Sequence, residues 1–177
     1  MLKAKVALAA LVLAAAGLYG FHYATVGFFP YEDAYISLGF ARSFLETGWF
    51  SISGGSPHFE GFSSPPWVLL LAASGLVSGD LALNSLVLCW ILSAATLVVT
   101  YLTARRLCPP AAAAAPAIIA MAPSFWGYGL AGMEAPLFML EFALFAHLAV
   151  AWLQGPPPEE RPGRDLWFAA ASAGLLT

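Results

Sequence analysis

Charge is the property that this sequence has least of. Asp, Glu, Lys and Arg make up 10% of its 177 residues, whereas about a quarter of the residues in a soluble domain are charged. Hydrophobic residues make up 60% of the chain, and the mean hydropathy is +0.79. So few charged side chains cannot cover a water-exposed surface. The composition therefore predicts an integral membrane protein.

Basic clusters and cysteine motifs are scarce as well. Seven Lys and Arg against ten Asp and Glu give a net charge of −3. Because no block of basic residues is present to neutralise phosphates, nucleic acid is excluded as a partner. The two cysteines, Cys89 and Cys108, lie in or beside apolar runs and lack the CxxC or Cys/His spacing of a metal site. We interpret both as packing residues.

Long uncharged runs predict an all-α fold, a polytopic helical bundle in the membrane. The hydrocarbon core of a bilayer requires about 20 helical residues. The predicted spans are 6–26, 81–104, 111–125 and 135–153, and a fifth apolar run occupies 166–177. Prolines interrupt the third span, so we expect it to leave the membrane irregularly through Gly127, Gly129 and Gly132. The first run also fits a signal peptide that is cleaved near Ala14 to Ala16, and this alternative stays open.

The basic residues predict the orientation of these spans. The apolar run 65–79 is too short to cross and is expected to lie at the membrane surface. The loop 27–80 and Glu134 then lie on the extracytoplasmic side, and the N-terminus is cytoplasmic. This arrangement puts six of the seven basic residues on the cytoplasmic side, as the positive-inside rule favours: Lys3, Lys5, Arg105, Arg106, Arg161 and Arg164.

The loop 27–80 contains most of the chain's polar chemistry. Apolar residues spaced three and four apart predict an amphipathic juxtamembrane helix over 34–47, and a second surface helix is predicted over 65–79. Glu32 and Asp33 lie at the start of the first helix, where the helix dipole favours an ionised carboxylate. Such a carboxylate suits a general base or a divalent cation ligand. Simple capping of the helix is the alternative.

Three segments resemble a known enzyme family. They read EDAYISL (32–38), FEGFSSPPW (59–67) and GMEAPLF (132–138). In this order they resemble the DDAYI, VEGYTSPLW and GMET-x-LF segments of bacterial GT-C membrane glycosyltransferases. The arabinofuranosyltransferase-like branch is the most similar group, and protein mannosyltransferases and lipid A aminoarabinose transferases are more distantly similar. The resemblance covers nearly the whole chain but only the N-terminal part of such an enzyme, so we expect residues 1–177 alone to be inactive.

The resemblance implies an inverting glycosyltransferase of the bacterial plasma (inner) membrane with its active face outside the cytoplasm. Its donor would be a polyprenyl-phosphate sugar, and its acceptor a hydroxyl of a cell-envelope glycan, lipid or protein. The acidic pair maps the catalytic base onto Asp33 or Glu32, and a further acid maps onto Glu134. Two positions depart from the family pattern: Glu32 replaces the usual Asp, and Gly39 replaces a common Arg. Arg42 is then the cation left to meet the donor phosphate.

Other candidate site residues carry weaker signals. Glu60 and Glu134 are expected to position substrate or a divalent cation, Mg or Mn, and Asp33 with Glu134 are the candidate metal ligands. His58 is a candidate for a sugar hydroxyl or a metal, against the simpler interpretation that it is solvated.

A different functional class is also open. A small transporter or a non-catalytic membrane assembly factor would use the acids as a cation vestibule and Glu141 as a coupling residue. Transporters place ionisable groups near the bilayer midplane. Only Glu141 is predicted to lie near the midplane, whereas six acidic residues are predicted to lie at the outer surface. This distribution favours the transferase.

Overall fold

The computed structural model describes residues 32–51, 61, 63–129 and 131–155, and six isolated helical positions between 6 and 25. Most of the predicted span 6–26, the whole run 166–177, His58 and Glu60 lie outside the described residues. Within them the chain is mostly helical and contains no strand, which confirms the all-α class for this part. The helices are α1 Ala34–Thr47, α2 Pro65–Gly75, α3 Leu81–Leu107, α4 Ala114–Met121, α5 Pro123–Gly129 and α6 Ala135–Leu153, with a 3₁₀ turn at Pro109–Ala111.

Two of these helices, α3 and α6, are long and apolar enough to cross a membrane. They contain 27 and 19 residues, which corresponds to about 40 Å and about 28 Å of helix. The bounds of α6 agree with the predicted span 135–153. Helix α3 begins at the predicted residue and continues three residues further, so that Arg105 and Arg106 form its last turn.

Helices α3 and α6 run parallel. Three hydrogen bonds join them: Cys89 Sγ donates to the Met133 carbonyl just before α6 at 3.3 Å, Thr103 Oγ1 contacts His147 Nδ1 at 3.0 Å, and Gln154 Nε2 donates to the Arg106 carbonyl at 3.2 Å. The partners are 44, 44 and 48 residues apart. A nearly constant separation requires parallel helices, so residues 108–134 bring the chain back to the level of Cys89 in the first half of α3.

The returning segment is not the single helix predicted over 111–125. It consists of a 3₁₀ turn followed by α4 and α5. The two helices are separated at Ala122, whose ψ of 120° is extended. The cause is Pro123, which lacks an amide and disfavours helical backbone in the residue before it. Helix α5 then continues to Gly129, so the predicted irregular exit begins only after this glycine.

Helices α1 and α2 pack against the first half of α3. The core of this cluster contains Phe40, Trp67 and Leu71, all fully buried, with Leu81 and Cys89 of α3. Helix α1 buries Leu38, Phe40 and Ala41 of its predicted apolar face. Two other apolar residues of that face, Ile36 and Leu45, are exposed, whereas Ser37 and Ser43 are buried. Ser43 is satisfied there by the Ser51 hydroxyl at 2.6 Å.

Two further sequence interpretations need correction. Cys89 is buried as expected, but Cys108 is exposed and is not a packing residue. Helix α2 ends at Gly75 rather than at residue 79. It ends early because the Asn84 amide binds the carbonyls of Ser74 and Ser78 at 3.2 and 2.8 Å and thereby closes a tight turn into α3.

Candidate functional site

Glu134 is the predicted site residue with the most defined surroundings. Gly132, at φ +70°, turns the chain ahead of it, and the Glu134 carbonyl accepts the amides of Leu137 and Phe138 at 2.9 and 3.2 Å. Pro136 in the first turn has no amide that needs an acceptor. The Glu134 side chain therefore makes no capping bond. Its Oε1 instead accepts a hydrogen bond from Ser63 Oγ at 2.6 Å.

The Ser63–Glu134 hydrogen bond joins two of the three resembling segments across 71 residues of sequence. Ser63 is not among the predicted site residues, and it is not the cap of α2. That cap is its neighbour Ser64, which accepts from the Trp67 amide at 3.4 Å. Two successive serines before two prolines were the signal that one hydroxyl would remain for another partner. The segments FEGFSSPPW and GMEAPLF are thus neighbours in the fold.

The acidic pair opens α1 as predicted, but neither residue serves as a side-chain cap. Asp33 occupies the N-cap position with helical backbone (φ −64°, ψ −26°) and makes no side-chain capping bond. The first amides of α1 are satisfied by backbone carbonyls instead: Tyr35 binds Glu32 at 3.1 Å and Ile36 binds Asp33 at 3.2 Å. Both carboxylates are exposed. Asp33 therefore does not have the capping role that was the alternative for it.

Asp80 behaves differently. It precedes α3, and its Oδ1 accepts the Leu83 amide at 3.0 Å, which is an ordinary side-chain cap. The resemblance assigns no role to Asp80. Of the three acids at N-cap positions in the described helices, the two that the resemblance assigns to a site are therefore the two that do not cap.

An open cleft of about 280 Å³ lies between α1 and the start of α3. Gly39 and Arg42 both line it, as expected for residues three apart on one helix face. Arg42 therefore borders the cleft that an Arg at position 39 would also border. This geometry supports Arg42 as the substitute cation. The remaining lining residues are Tyr35, Leu38, Asp80, Leu81 and Ala82.

The structure does not bring every candidate together. Among the described residues, no group of three or more His, Cys, Asp or Glu side chains is placed to hold a metal ion. The divalent cation held by Asp33 and Glu134 therefore stays a prediction. Glu141 lies half-buried in α6, and its predicted coupling role also stays untested. Tyr35, which sequence reasoning missed, lines the cleft from within the EDAYISL segment.

Comparison with known proteins adds no relative. No protein-family model, curated protein or solved structure matches this chain.

Proposed function

We propose that this chain is the N-terminal part of an integral membrane glycosyltransferase of the GT-C type, which moves a sugar from a polyprenyl-phosphate donor to an acceptor hydroxyl. The observation that carries the proposal is the difference between the acids at helix starts. The Asp80 carboxylate accepts a backbone amide of its helix, whereas the carboxylates of Asp33 and Glu134 make no such capping bond. The last two are the acids to which the resemblance gives chemistry.

A polytopic membrane setting is part of this proposal. Helix α6 is apolar along its length, yet Pro136 is its only fully buried residue, and Phe142 is 67% exposed. An apolar helix with so little internal burial requires an apolar solvent or further apolar partners, and lipid supplies the first. The arginines at the end of α3 favour a cytoplasmic location for that end, which puts α1, α2 and Glu134 outside.

The proposed reaction is a single displacement. Asp33 or Glu32 removes the proton of the acceptor hydroxyl, and the hydroxyl oxygen forms a bond to the anomeric carbon. The bond between that carbon and the phosphate oxygen breaks, and polyprenyl phosphate leaves with the electron pair. Both carboxylates lie exposed at the start of α1, where an acceptor can reach them.

Two further side chains have roles in the proposed mechanism. The guanidinium of Arg42 offsets the charge that develops on the leaving phosphate, for which its planar donor geometry is suited. Glu134, already oriented by Ser63, accepts hydrogen bonds from sugar or acceptor hydroxyls. Glu60 and His58 keep the substrate-binding roles predicted for them.

A transfer assay tests the proposal. Membranes that contain a protein carrying these 177 residues are supplied with polyprenyl-phosphate arabinofuranose or polyprenyl-phosphate mannose, each labelled in the sugar. Membranes with an equal amount of the Asp33→Asn variant are the control. We expect label to pass to a membrane or envelope acceptor as polyprenyl phosphate is released, and to fall sharply in the control. Transfer at the same rate in both preparations, or transfer that requires a nucleotide sugar instead, would overturn the proposal.

A further inference from the structure

A second cavity, of about 330 Å³, lies at the opposite end of the α3–α6 pair from Glu134. Leu102, Arg105 and Arg106 of α3 and His147 of α6 line it. Because the two helices are parallel, this is the C-terminal end of both. The cavity is therefore separate from the candidate glycosyltransferase site, and a ligand could bind here whether or not the protein transfers a sugar.

The cavity is cationic and partly fixed in shape. Among the described residues, its lining contains two guanidinium groups and no carboxylate. Thr103 Oγ1 donates its single proton to the Val99 carbonyl at 2.8 Å. The 3.0 Å contact between Thr103 Oγ1 and His147 Nδ1 must then use a proton of the ring, so Nδ1–H is the donor. This bond holds the imidazole in place on the α6 side.

Compensation of the helix dipole is the simpler role for two arginines in a last turn. Groups other than the guanidiniums already bind some of the carbonyls at this helix end. The Arg106 carbonyl accepts from Gln154 Nε2 at 3.2 Å, and the Ala104 carbonyl accepts the Cys108 amide at 2.8 Å. Two of the terminal carbonyls thus have partners that are not guanidinium groups, which leaves guanidinium donors for a ligand.

We infer that this cavity binds a phosphate group, carried either by an anionic lipid headgroup or as free phosphate. The two guanidinium groups offer several N–H donors in a planar arrangement that matches phosphate oxygens, and none of the described lining residues carries a negative charge that would repel an anion. Leu102, 39% exposed beside them, provides an apolar wall on the side from which an acyl chain would enter. Phosphate headgroups are abundant at the surface that basic helix ends favour.

Native mass spectrometry of the purified full chain tests this inference. The protein is titrated separately with phosphatidylglycerol, phosphatidylcholine and inorganic phosphate, and the variants are Arg105→Gln, Arg106→Gln and the charge-matched control Lys3→Gln, at a cation that has no assigned role. We expect the affinity for phosphatidylglycerol to fall about tenfold in each of the first two variants, the effect of one lost charged hydrogen bond, and to stay unchanged in the control. Equal losses in all three variants would show attraction to net charge alone and would overturn the site.

Two further measurements distinguish a lipid headgroup from free phosphate and control for misfolding of the variants. Displacement of phosphatidylglycerol by inorganic phosphate would assign the site to phosphate as such, and its absence would assign the site to a lipid headgroup. Arg106→Lys keeps the charge and removes the planar donor geometry, so binding should fall less than in Arg106→Gln but measurably. Full binding in both the Lys and the Gln variants would overturn the inference, because a misfolded protein could not give this result.

Discussion

The first turns of α3 and α6 both follow an acidic residue, yet the two acids are used differently. Asp80 binds the Leu83 amide at 3.0 Å, whereas Glu134 turns away from its helix and accepts from Ser63 at 2.6 Å. The difference arises because the first turn of α6 needs no side-chain acceptor. Pro136 has no amide hydrogen, and the next two amides, of Leu137 and Phe138, donate to the Glu134 carbonyl. An acid at a helix start is therefore available for chemistry when the backbone satisfies the first turn without it.

Asp33 extends this comparison to α1, where backbone carbonyls also satisfy the first amides. The distinction between a capping acid and an available acid leads to different expectations for each of the three residues. Substitution of an available acid should lower activity and leave stability unchanged. Substitution of the capping acid should do the reverse.

Asp33→Asn should show the largest effect. It retains the shape of the side chain and removes its basicity, so transfer should fall by about 10² to 10⁴, the range typical of loss of a general base. The melting temperature should stay the same, since Asp33 makes no capping bond. Glu32→Gln, assayed in parallel, decides which acid of the pair is the base. If both amide variants retain full turnover, the pair has no catalytic role.

Glu134→Gln should show the next largest effect. Gln still accepts the Ser63 hydroxyl, so the local fold should persist. The loss of a charged hydrogen bond to substrate should lower transfer by about 10- to 100-fold. Steady-state rates at several donor concentrations, with circular dichroism as the control for folding, would measure this. An unchanged rate would put Glu134 outside the site.

Asp80→Ala should affect stability more than activity, because the Asp80 carboxylate binds the Leu83 amide even though the residue also borders the cleft. Removal of the cap should cost about 1 kcal/mol of unfolding free energy, and Asp80→Asn should cost almost nothing because Asn caps about as well as Asp. Thermal denaturation in detergent compares the two variants. A loss of transfer in Asp80→Asn with unchanged stability would contradict the division between capping and available acids.

Ser63→Ala should give the smallest effect. It removes the hydroxyl that orients Glu134, at a cost of about 0.5 to 1.5 kcal/mol for one hydrogen bond. The expected result is a transfer rate lowered severalfold with little change in melting temperature. Ser64→Ala is the matched control, since Ser64 caps α2 and should lose stability instead. Equal behaviour of the two serine variants would show that the Ser63–Glu134 contact has no functional role.

Local signals in the sequence were sufficient for much of the fold. The bounds of α1 and α6 were predictable because Gly48, at φ +75°, ends the first and an apolar run after Pro136 defines the second. The early end of α2 was not predictable, because it depends on the Asn84 amide nine residues after Gly75. The burial of Ser43 in α1 was also not predictable, since it depends on a hydrogen bond to Ser51, eight residues later in the sequence.

The candidate site divides in the same way. The acids at 33 and 134 were identified from their segments, but whether either would cap a helix depends on which amides find other partners, and periodicity does not report this. The Ser63–Glu134 contact spans 71 residues and follows from the parallel packing of α3 and α6. No spacing within either segment contains that information.

A double-mutant cycle on the transfer rate tests the central claim, that Asp33 and Glu134 serve one site. The rates of Asp33→Asn, Glu134→Gln and the double variant are compared, and a control cycle pairs Asp33→Asn with Asp80→Asn. When two groups act together in one transition state, the effects of substituting them on the rate are strongly non-additive. The first double variant should therefore be about as slow as Asp33→Asn alone. The control cycle should be additive. If the effects at 33 and 134 simply multiply, the two acids act independently and the account of a single site is wrong.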